Sequence, residues 1–536
     1  MTGLSKARIM DRLPYLGLDI EGEGAESVRI EYNPNRPDFS SDYGIARALR
    51  GLVGRETGVK KYRVAKGKTK VFADRSLAKV RPFIACVIAR RIKLDEETIR
   101  QLISMQEDLH NGLGRKRRKV AIGLHDLKAI VPPIHYTGKY AEFAFTPLGS
   151  AEPMTIRDIL DKTDTGKAYG HILAGKIASK TVYPILQDSV GTVLSFPPII
   201  NGDRTKVGTK TRSLFVDVTS TDERLGNEVL AIISCALADA KGKLETVTVN
   251  YSKSQVRTPQ LAPSKMKYDH ELATAMTGLR LSKKDAKACL KRSRLDIDGK
   301  SFAVIPAYRV DILHPVDLAE EVAIGYGLDR IEPSYPPSSE LGRFDQGVAF
   351  LESLSTTMTE EGFNETMNYD LTDEPTLYGK FERDPGSKIE VDNPRSMEHY
   401  LLRDSLLPSL LAVLGRNVKS QYPQKLFEAG KVFLRGESGV EERFRLAVVA
   451  AYSESSYTEA KMHLQALVKK HFGELADTAP STHWAFAEGR CAEVVLKGKG
   501  LGHLGEVRPK ALANFGIDMP AWAFEIEVPS VKKKSA

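Results

Sequence analysis

Apolar residues along this chain recur now at helical spacing and now in strict alternation, and the switching between the two periods predicts an α+β fold of several domains. Residues 5 to 20 begin as a short helix, after which Leu16-Gly-Leu-Asp-Ile-Glu21 opens a strand that Val28-Arg-Ile-Glu-Tyr32 can pair with. Asn33-Pro-Asn-Arg-Pro-Asp38 is a rigid turn, because two prolines fix φ, and Asp38 stands where it could cap a helix from Tyr43 to Val53. Phe83-Ile-Ala-Cys-Val-Ile-Ala89 is apolar and β-branched enough for a buried strand, and a helix from Glu96 to Leu109 follows it. Further on, Leu225 to Ala240 is helical and Leu244 to Tyr251 alternates as a strand. Two helical segments, His270 to Gly278 and Ser282 to Arg292, precede a strand that begins at Phe302 and ends near Val310. Past residue 345 the pattern gives a helix from Phe350 to Glu361 and strands at Glu365–Tyr369 and Lys425–Phe433, with another helix entered through Leu401-Leu-Arg-Asp-Ser-Leu-Leu-Pro408.

Breaks in the pattern divide the chain. The polar, Pro-bearing run Lys253 to Ser264 reads as a junction, and Ser334-Tyr-Pro-Pro-Ser-Ser-Glu-Leu-Gly342 as a linker. The organisation expected is an N-terminal α/β module over 1–80, a domain over 81–252, a small domain over 258–332, a linker over 333–345, a large module over 346–530 and a disordered tail over 531–536.

The most informative stretch is Arg309 to Ile331. Pro315 suits the first turn of a helix, Leu318, Val322, Ala323 and Tyr326 keep helical spacing, and Gly327 ends the run. Asp317, Glu320 and Glu321 fall on one helical face near its N-terminus, and Asp311 arrives from the strand side. Two accounts fit. Acids in a first helical turn are favoured by the helix dipole, with Asp317 as a cap; alternatively, four converging carboxylates need a neutraliser, and oxygen ligands suit a hard cation such as Mg²⁺.

Composition adds bounds. With 42 % hydrophobic and 27 % charged residues over 536 positions, the chain has material for about three to five ordinary domains. No apolar run approaches a membrane span and no signal-peptide core opens the chain. The 4 cysteines are scattered without zinc spacing, which fits reduced thiols in a cytoplasm. A net charge of +9 permits a polyanionic partner. The basic stretch of residues 57–81 suits a solvated connector, whereas Gly114-Arg-Lys-Arg-Arg-Lys-Val-Ala-Ile-Gly-Leu-His-Asp126 runs from five cations directly into a strand, an arrangement suited to a phosphate backbone leading towards a pocket. Two strand ends rich in polar groups, Ser195-Phe-Pro-Pro-Ile-Ile-Asn-Gly-Asp203 and Leu214-Phe-Val-Asp-Val-Thr-Ser-Thr-Asp222, could meet in such a pocket.

These strings resemble one family. Arg309-x-Asp-Ile followed by Asp317-Leu-x-Glu-Glu is similar to the B5 domain signature of phenylalanyl-tRNA synthetase beta subunits, and Asn35-Arg-Pro-Asp38, Gly44-Ile-Ala-Arg-Ala-Leu-Arg-Gly51, "PPIINGD", "FVDVTSTD", "LRDSLLPSLL", "LFEAGKVF" and "GHLGEVRPKAL" fall in the family's order, in its archaeal and eukaryotic form. Relative to that family the chain starts late, just before Leu4-Ser-Lys-Ala-Arg8. The resemblance implies a B3/B4 editing domain, a B5 domain and a catalytically inactive, class II synthetase-like antiparallel sheet with helices; no GxGxxR-type segment is present. It implies a heterotetramer, alpha₂beta₂, in which the alpha subunit uses ATP to join phenylalanine to tRNA(Phe). It also implies that this chain hydrolyses Tyr-tRNA(Phe) with Asn201, Asp217 and Thr219, and secondarily His125, Ser195 and Asp203. It further implies Mg²⁺ at Asp311, Asp317, Glu320 and Glu321 at the contact with the alpha subunit; Arg403 and Glu428 resemble relics of substrate residues, for which structural salt-bridge roles are the expectation. A free-standing trans-editing deacylase and a non-catalytic tRNA-binding scaffold are the alternatives.

Overall fold

The strand Ser213–Ser220, seven of whose eight residues are buried, lies at the centre of the first half of the protein. It sits between Phe83–Arg90 and Val120–Asp126, both antiparallel to it. Alternate side chains point to opposite faces: Leu214, Val216 and Val218 pack on the helices Glu96–Asn111 and Glu223–Asp239, while Phe215 packs into a second core with Tyr136, Leu186 and Leu194. The sheet has 11 strands, and its order runs from Ile200–Asn201 at one end to Val120–Asp126 at the other.

The computed structural model describes residues 1–24, 27–174, 182–299, 301–335, 341–386, 388–437 and 439–528. The chain divides into two compact units, Met1–Tyr335 and Pro336–Ala536. The proposed tail and the middle of the proposed linker lie outside the described residues.

Within the first unit the sheet crosses the expected boundaries. Val64–Ala65 and Lys70–Ala73 pair in parallel with Lys243–Asn250, so residues before 80 belong to the same sheet as those after it. Gln255–Thr258 returns antiparallel onto Lys243–Asn250, and Thr258 Oγ1 both accepts from Cys86 N–H and donates to Cys86 O, each at 2.8 Å. The run read as a junction from Lys253 therefore begins as a strand, because it can complete the sheet edge. Asp38 does not cap the following helix. Residues Pro37–Ser40 form a 3₁₀ turn, Ser41 Oγ accepts from Gly44 N–H at 3.2 Å as the cap of Asp42–Leu52, and Asp38 is buried against Arg36 (2.9 Å) and Arg47 (3.6 Å). Arg47, itself buried, also reaches Asp239 at 2.6 Å and lies over the Tyr308 ring at 3.6 Å.

The small domain carries both expected helices, as His270–Thr277 and Lys283–Arg292, beside a three-stranded sheet. Its strand Phe302–Ile305 stops short of Val310, and Asp311 stands in the turn before the helix Pro315–Tyr326.

In the second unit a 7-stranded sheet is antiparallel except for the short edge strand Asn364–Glu365. Its long strand Gly439–Ala451 shows why two layers of helix are needed. Leu446, Val448 and Ala450 face Gln346–Glu360 and Tyr457–Phe472, whereas Ala447, Val449 and Ala451 face Leu407–Arg416 and Pro509–Asn514. Arg403 and Glu428, both buried, pair at 2.6 Å, and Asn368 Nδ2 donates to the second carboxylate oxygen at 2.7 Å. All four cysteines are buried and unpaired.

Candidate active site

The two ends of the large sheet meet across a cavity of about 360 Å³. Ser195 and Asn201 line it from one end, and Ala121, Ile122, Gly123 and Asp217 from the other. Asp217 lies opposite Gly123 in the ladder, and a Cβ on Gly123 would overlap both Asp217 Oδ1 and His125 Nε2. Glycine is what lets the two strands bring these groups together.

His125 Nε2 donates to Asp217 Oδ1 at 2.8 Å, and its Nδ1 lies 2.9 Å from Thr205 Oγ1. Both His125 and Asp217 are buried. The imidazole, held between Thr205 and Asp217, fixes the carboxylate in one orientation, and Thr205 Oγ1 in turn lies 3.4 Å from Gly202 O. Ser195 Oγ is buried without a hydrogen-bond partner. Of the six residues proposed from the sequence, Asn201, Asp217 and Ser195 therefore line the cavity. His125 supports one of them. Thr219 lies behind, accepting from Arg81 Nε at 2.9 Å, and Asp203 accepts from Gly149 N–H at 3.3 Å in a neighbouring turn.

The opposite wall was not anticipated. Ile103, Gln106, Glu107 and His110, at i, i+3, i+4 and i+7, form one face of the helix Glu96–Asn111 and line the cavity with Arg117. The available signal was this second stripe, offset from the buried stripe of Leu102, Met105 and Leu109. His110 Nε2 accepts from Ile122 N–H at 2.8 Å, which leaves Nδ1–H facing Glu107 at 3.2 Å. That hydrogen bond, together with Arg117 at 2.7 Å, holds Glu107 below the usual carboxylate range; burial pushes His110 down, towards the neutral form. Arg117 also donates to Pro198 O and Ile199 O (3.3 and 3.2 Å) and lies over the Tyr169 ring at 4.4 Å. One of the five cations of the basic run thus turns inward.

The acidic cluster is neutralised by arginine. Arg309 donates in bidentate fashion to Asp311 (2.9 and 2.7 Å) and pairs with Glu321, which also lies 4.0 Å from Arg36. These guanidinium groups hold Glu321 low against the burial that would raise it. Asp317 is the third helical residue rather than the cap: His314 caps, and Asp317 Oδ2 accepts from Leu313 and His314 N–H at 2.7 Å each. Glu320 has no such partner, and burial together with Glu321 and Asp317 raises it. Among the described residues no group of three or more His, Cys, Asp or Glu side chains is placed to hold a metal ion. In this geometry the four carboxylates do not converge on one point: Arg309 engages Asp311 and Glu321, and Asp317 is turned to backbone N–H groups.

A second cavity, of 590 Å³, opens on the sheet of the other unit. Five of its polar groups are paired with one another: Arg445 with Glu525 at 2.9 Å, Ser405 Oγ with Glu525 at 2.6 Å, and Arg383 with Asp404. His483 stacks on His503 with ring centroids 4.5 Å apart.

Two family models match this chain: the tRNA synthetase B5 domain over residues 266–328 and the phenylalanyl tRNA synthetase beta chain CLM domain over 331–528. The phenylalanine–tRNA ligase beta subunit of Archaeoglobus fulgidus is 39 % identical over 534 residues, 98 % of this chain and 96 % of its own. The chain belongs to the phenylalanine–tRNA ligase beta-subunit family. The family member of Methanocaldococcus jannaschii is 35 % identical over 533 residues, 97 % of this chain and 96 % of its own. A solved structure of an N-terminal fragment of the Pyrococcus horikoshii phenylalanyl-tRNA synthetase beta subunit, 34 % identical, matches 60 % of this chain and 95 % of that one with a TM-score of 0.58. No helix among the described residues is long and apolar enough to cross a membrane.

Proposed function

We propose that this chain works as the beta subunit of a cytoplasmic phenylalanine–tRNA ligase, in an alpha₂beta₂ assembly that shares Mg²⁺ between its subunits and whose alpha subunit binds ATP and phenylalanine and charges tRNA(Phe). Its own chemistry is hydrolysis of Tyr-tRNA(Phe) in the 360 Å³ cavity, and its class II-like module is a scaffold without catalysis. The observation that carries the reading is the pairing of an oriented carboxylate, Asp217 held by His125, with an unpartnered buried hydroxyl, Ser195 Oγ, in one cavity. The carboxylate can accept a proton from an attacking water. A site built to hydrogen-bond a phenol leaves buried polar groups unmet when phenylalanine enters, so the misacylated tyrosine is the one retained.

Glu320, the one acid of its cluster without a hydrogen-bond or ion-pair partner among the described residues, is the contact we assign to the alpha subunit. The test is made on the co-purified complex. Asp217→Ala should lose Tyr-tRNA(Phe) hydrolysis while phenylalanine charging continues. Unchanged hydrolysis would overturn the reading, and charging by this chain without its alpha partner would overturn the division of labour.

A further inference from the structure

Four cations in the loop between the helix Glu96–Asn111 and the strand Val120–Asp126 are left over once the cavity has been assembled. Arg115, Lys116, Arg118 and Lys119 are exposed, and no ion pair engages them among the described residues. The loop belongs to the cavity rim by its connections: His110 before it, Arg117 within it and Ala121 after it all line the cavity.

Its backbone is held in place. Gly114 N–H donates to Leu109 O (2.8 Å), Arg117 N–H to His110 O (3.0 Å), Lys119 N–H to Gly114 O (2.8 Å), and Thr221 N–H to Lys119 O (3.0 Å). Arg115, Lys116 and Arg117 are all left-handed, with φ of 49°, 53° and 64°, a conformation that side chains of this kind rarely hold three times in succession. Strain of this sort persists where surrounding structure imposes it. Here it turns Arg117 inward and leaves its neighbours outward on a fixed frame, so little ordering remains to oppose binding.

We propose that this loop docks the single-stranded 3′ end of the aminoacylated RNA, its four outward cations gripping the phosphates next to the esterified ribose and so delivering the ester to the cavity. The proposal rests on the deacylase reading above. Lys61, Arg63, Lys66 and Lys68 form an exposed run of equal charge, but none of them lines the cavity. They supply a matched control.

The test uses the complex with its alpha subunit. KM and kcat for Tyr-tRNA(Phe) hydrolysis are measured from about 50 to 200 mM salt for wild type, for Arg115→Gln/Lys116→Gln/Arg118→Gln/Lys119→Gln, and for Lys61→Gln/Arg63→Gln/Lys66→Gln/Lys68→Gln. Each single-strand phosphate contact contributes about 0.7 to the log–log salt slope. The loop variant should therefore show KM raised about 30-fold, kcat within about twofold and a slope flatter by about 3, while the control keeps wild-type KM. Lys116→Gln/Lys119→Gln should give about half the slope change, which keeps the test open if the quadruple variant folds poorly. A wild-type complex that hydrolyses no Tyr-tRNA would overturn the deacylase reading and this proposal with it. An active wild type whose loop variants keep its KM and slope, or a control that loses KM equally, would overturn the loop's role alone.

Discussion

Each unit sets a polar cavity against a β-sheet, and the two cavities differ in how far their polar groups are already engaged with one another. In the first unit the walls come from distant strands and a helix, a glycine leaves room for Asp217 and His125, and the hydroxyl of the lining residue Ser195 is buried with no partner among the described residues. In the second unit the groups answer each other: Arg445 with Glu525, Ser405 with Glu525, Arg383 with Asp404, leaving only Asp404 Oδ1 unmatched among the carboxylate oxygens of those pairs. A buried polar group without a partner costs stability, so it persists only where something else recommends it. Groups that satisfy one another hold a fold together and offer a ligand little, whether Arg445 and Glu525 in the second cavity or Arg117 and Glu107 in the first. Volume alone would rank the two the other way, 590 Å³ against 360 Å³.

The contrast can be broken experimentally. The largest effect should come from Asp217→Ala, which is expected to slow Tyr-tRNA(Phe) hydrolysis about 10²- to 10³-fold, the usual scale for losing a positioned proton acceptor, with charging as the internal control. Glu525→Ala should do the converse: deacylation unchanged, but the second unit destabilised by about 3 kcal/mol in urea titration, because Arg445 and Ser405 lose a largely buried partner. If Glu525→Ala left stability alone, the self-pairing account of that cavity would fail.

A smaller effect concerns acid. Burial, then His503 and the arginines 383, 445 and 508, push His483 down to about 3. Its unfolded value is about 6.5. As pH falls the unfolded chain takes up this proton first, so stability is intact above about 6.5 and declines progressively towards about 3. His483→Asn should lessen that decline relative to wild type in titrations at neutral and mildly acid pH; identical curves would refute it. The smallest effect should be that of Ser195→Ala on stability, within about 0.5 kcal/mol because no hydrogen bond is lost, although hydrolysis should fall about tenfold if the hydroxyl meets the substrate.

What could be read from sequence depended on how far apart in the chain the cause lay. The strands around Phe83 and Asp217 and the helix after Pro315 were legible, since each is written in its own periodicity. The return of Gln255–Thr258 onto Lys243–Asn250 was not, because its polar, Pro-flanked residues carry no alternation of their own, and the hydrogen bond that ties Thr258 to Cys86 joins residues 172 positions apart. Asp38 looked like a cap by position, and only the folded chain brings Arg47 to it. The carboxylates around Asp311 did announce a need for positive charge. The neutraliser, Arg309, stands in the same stretch, but a residue two positions away is a poor candidate partner until a turn doubles the chain back. In the cavity, Asn201, Asp217 and Ser195 stood out through their polar strand ends, whereas Gln106, Glu107 and His110 were hidden in an ordinary amphipathic helix.

The buried guanidinium of Arg47 carries a consequence for how the first unit comes apart. It touches Asp38 beside its own helix, Asp239 at the end of the long central helix and the ring of Tyr308 just before the acidic turn. Three segments far apart in the chain thus share one charge that none can release alone without leaving it buried and short of a partner. Cleavage between them should not liberate autonomous pieces, and a nick in any one should loosen all three together, so that residues 1–335 melt as a single cooperative block.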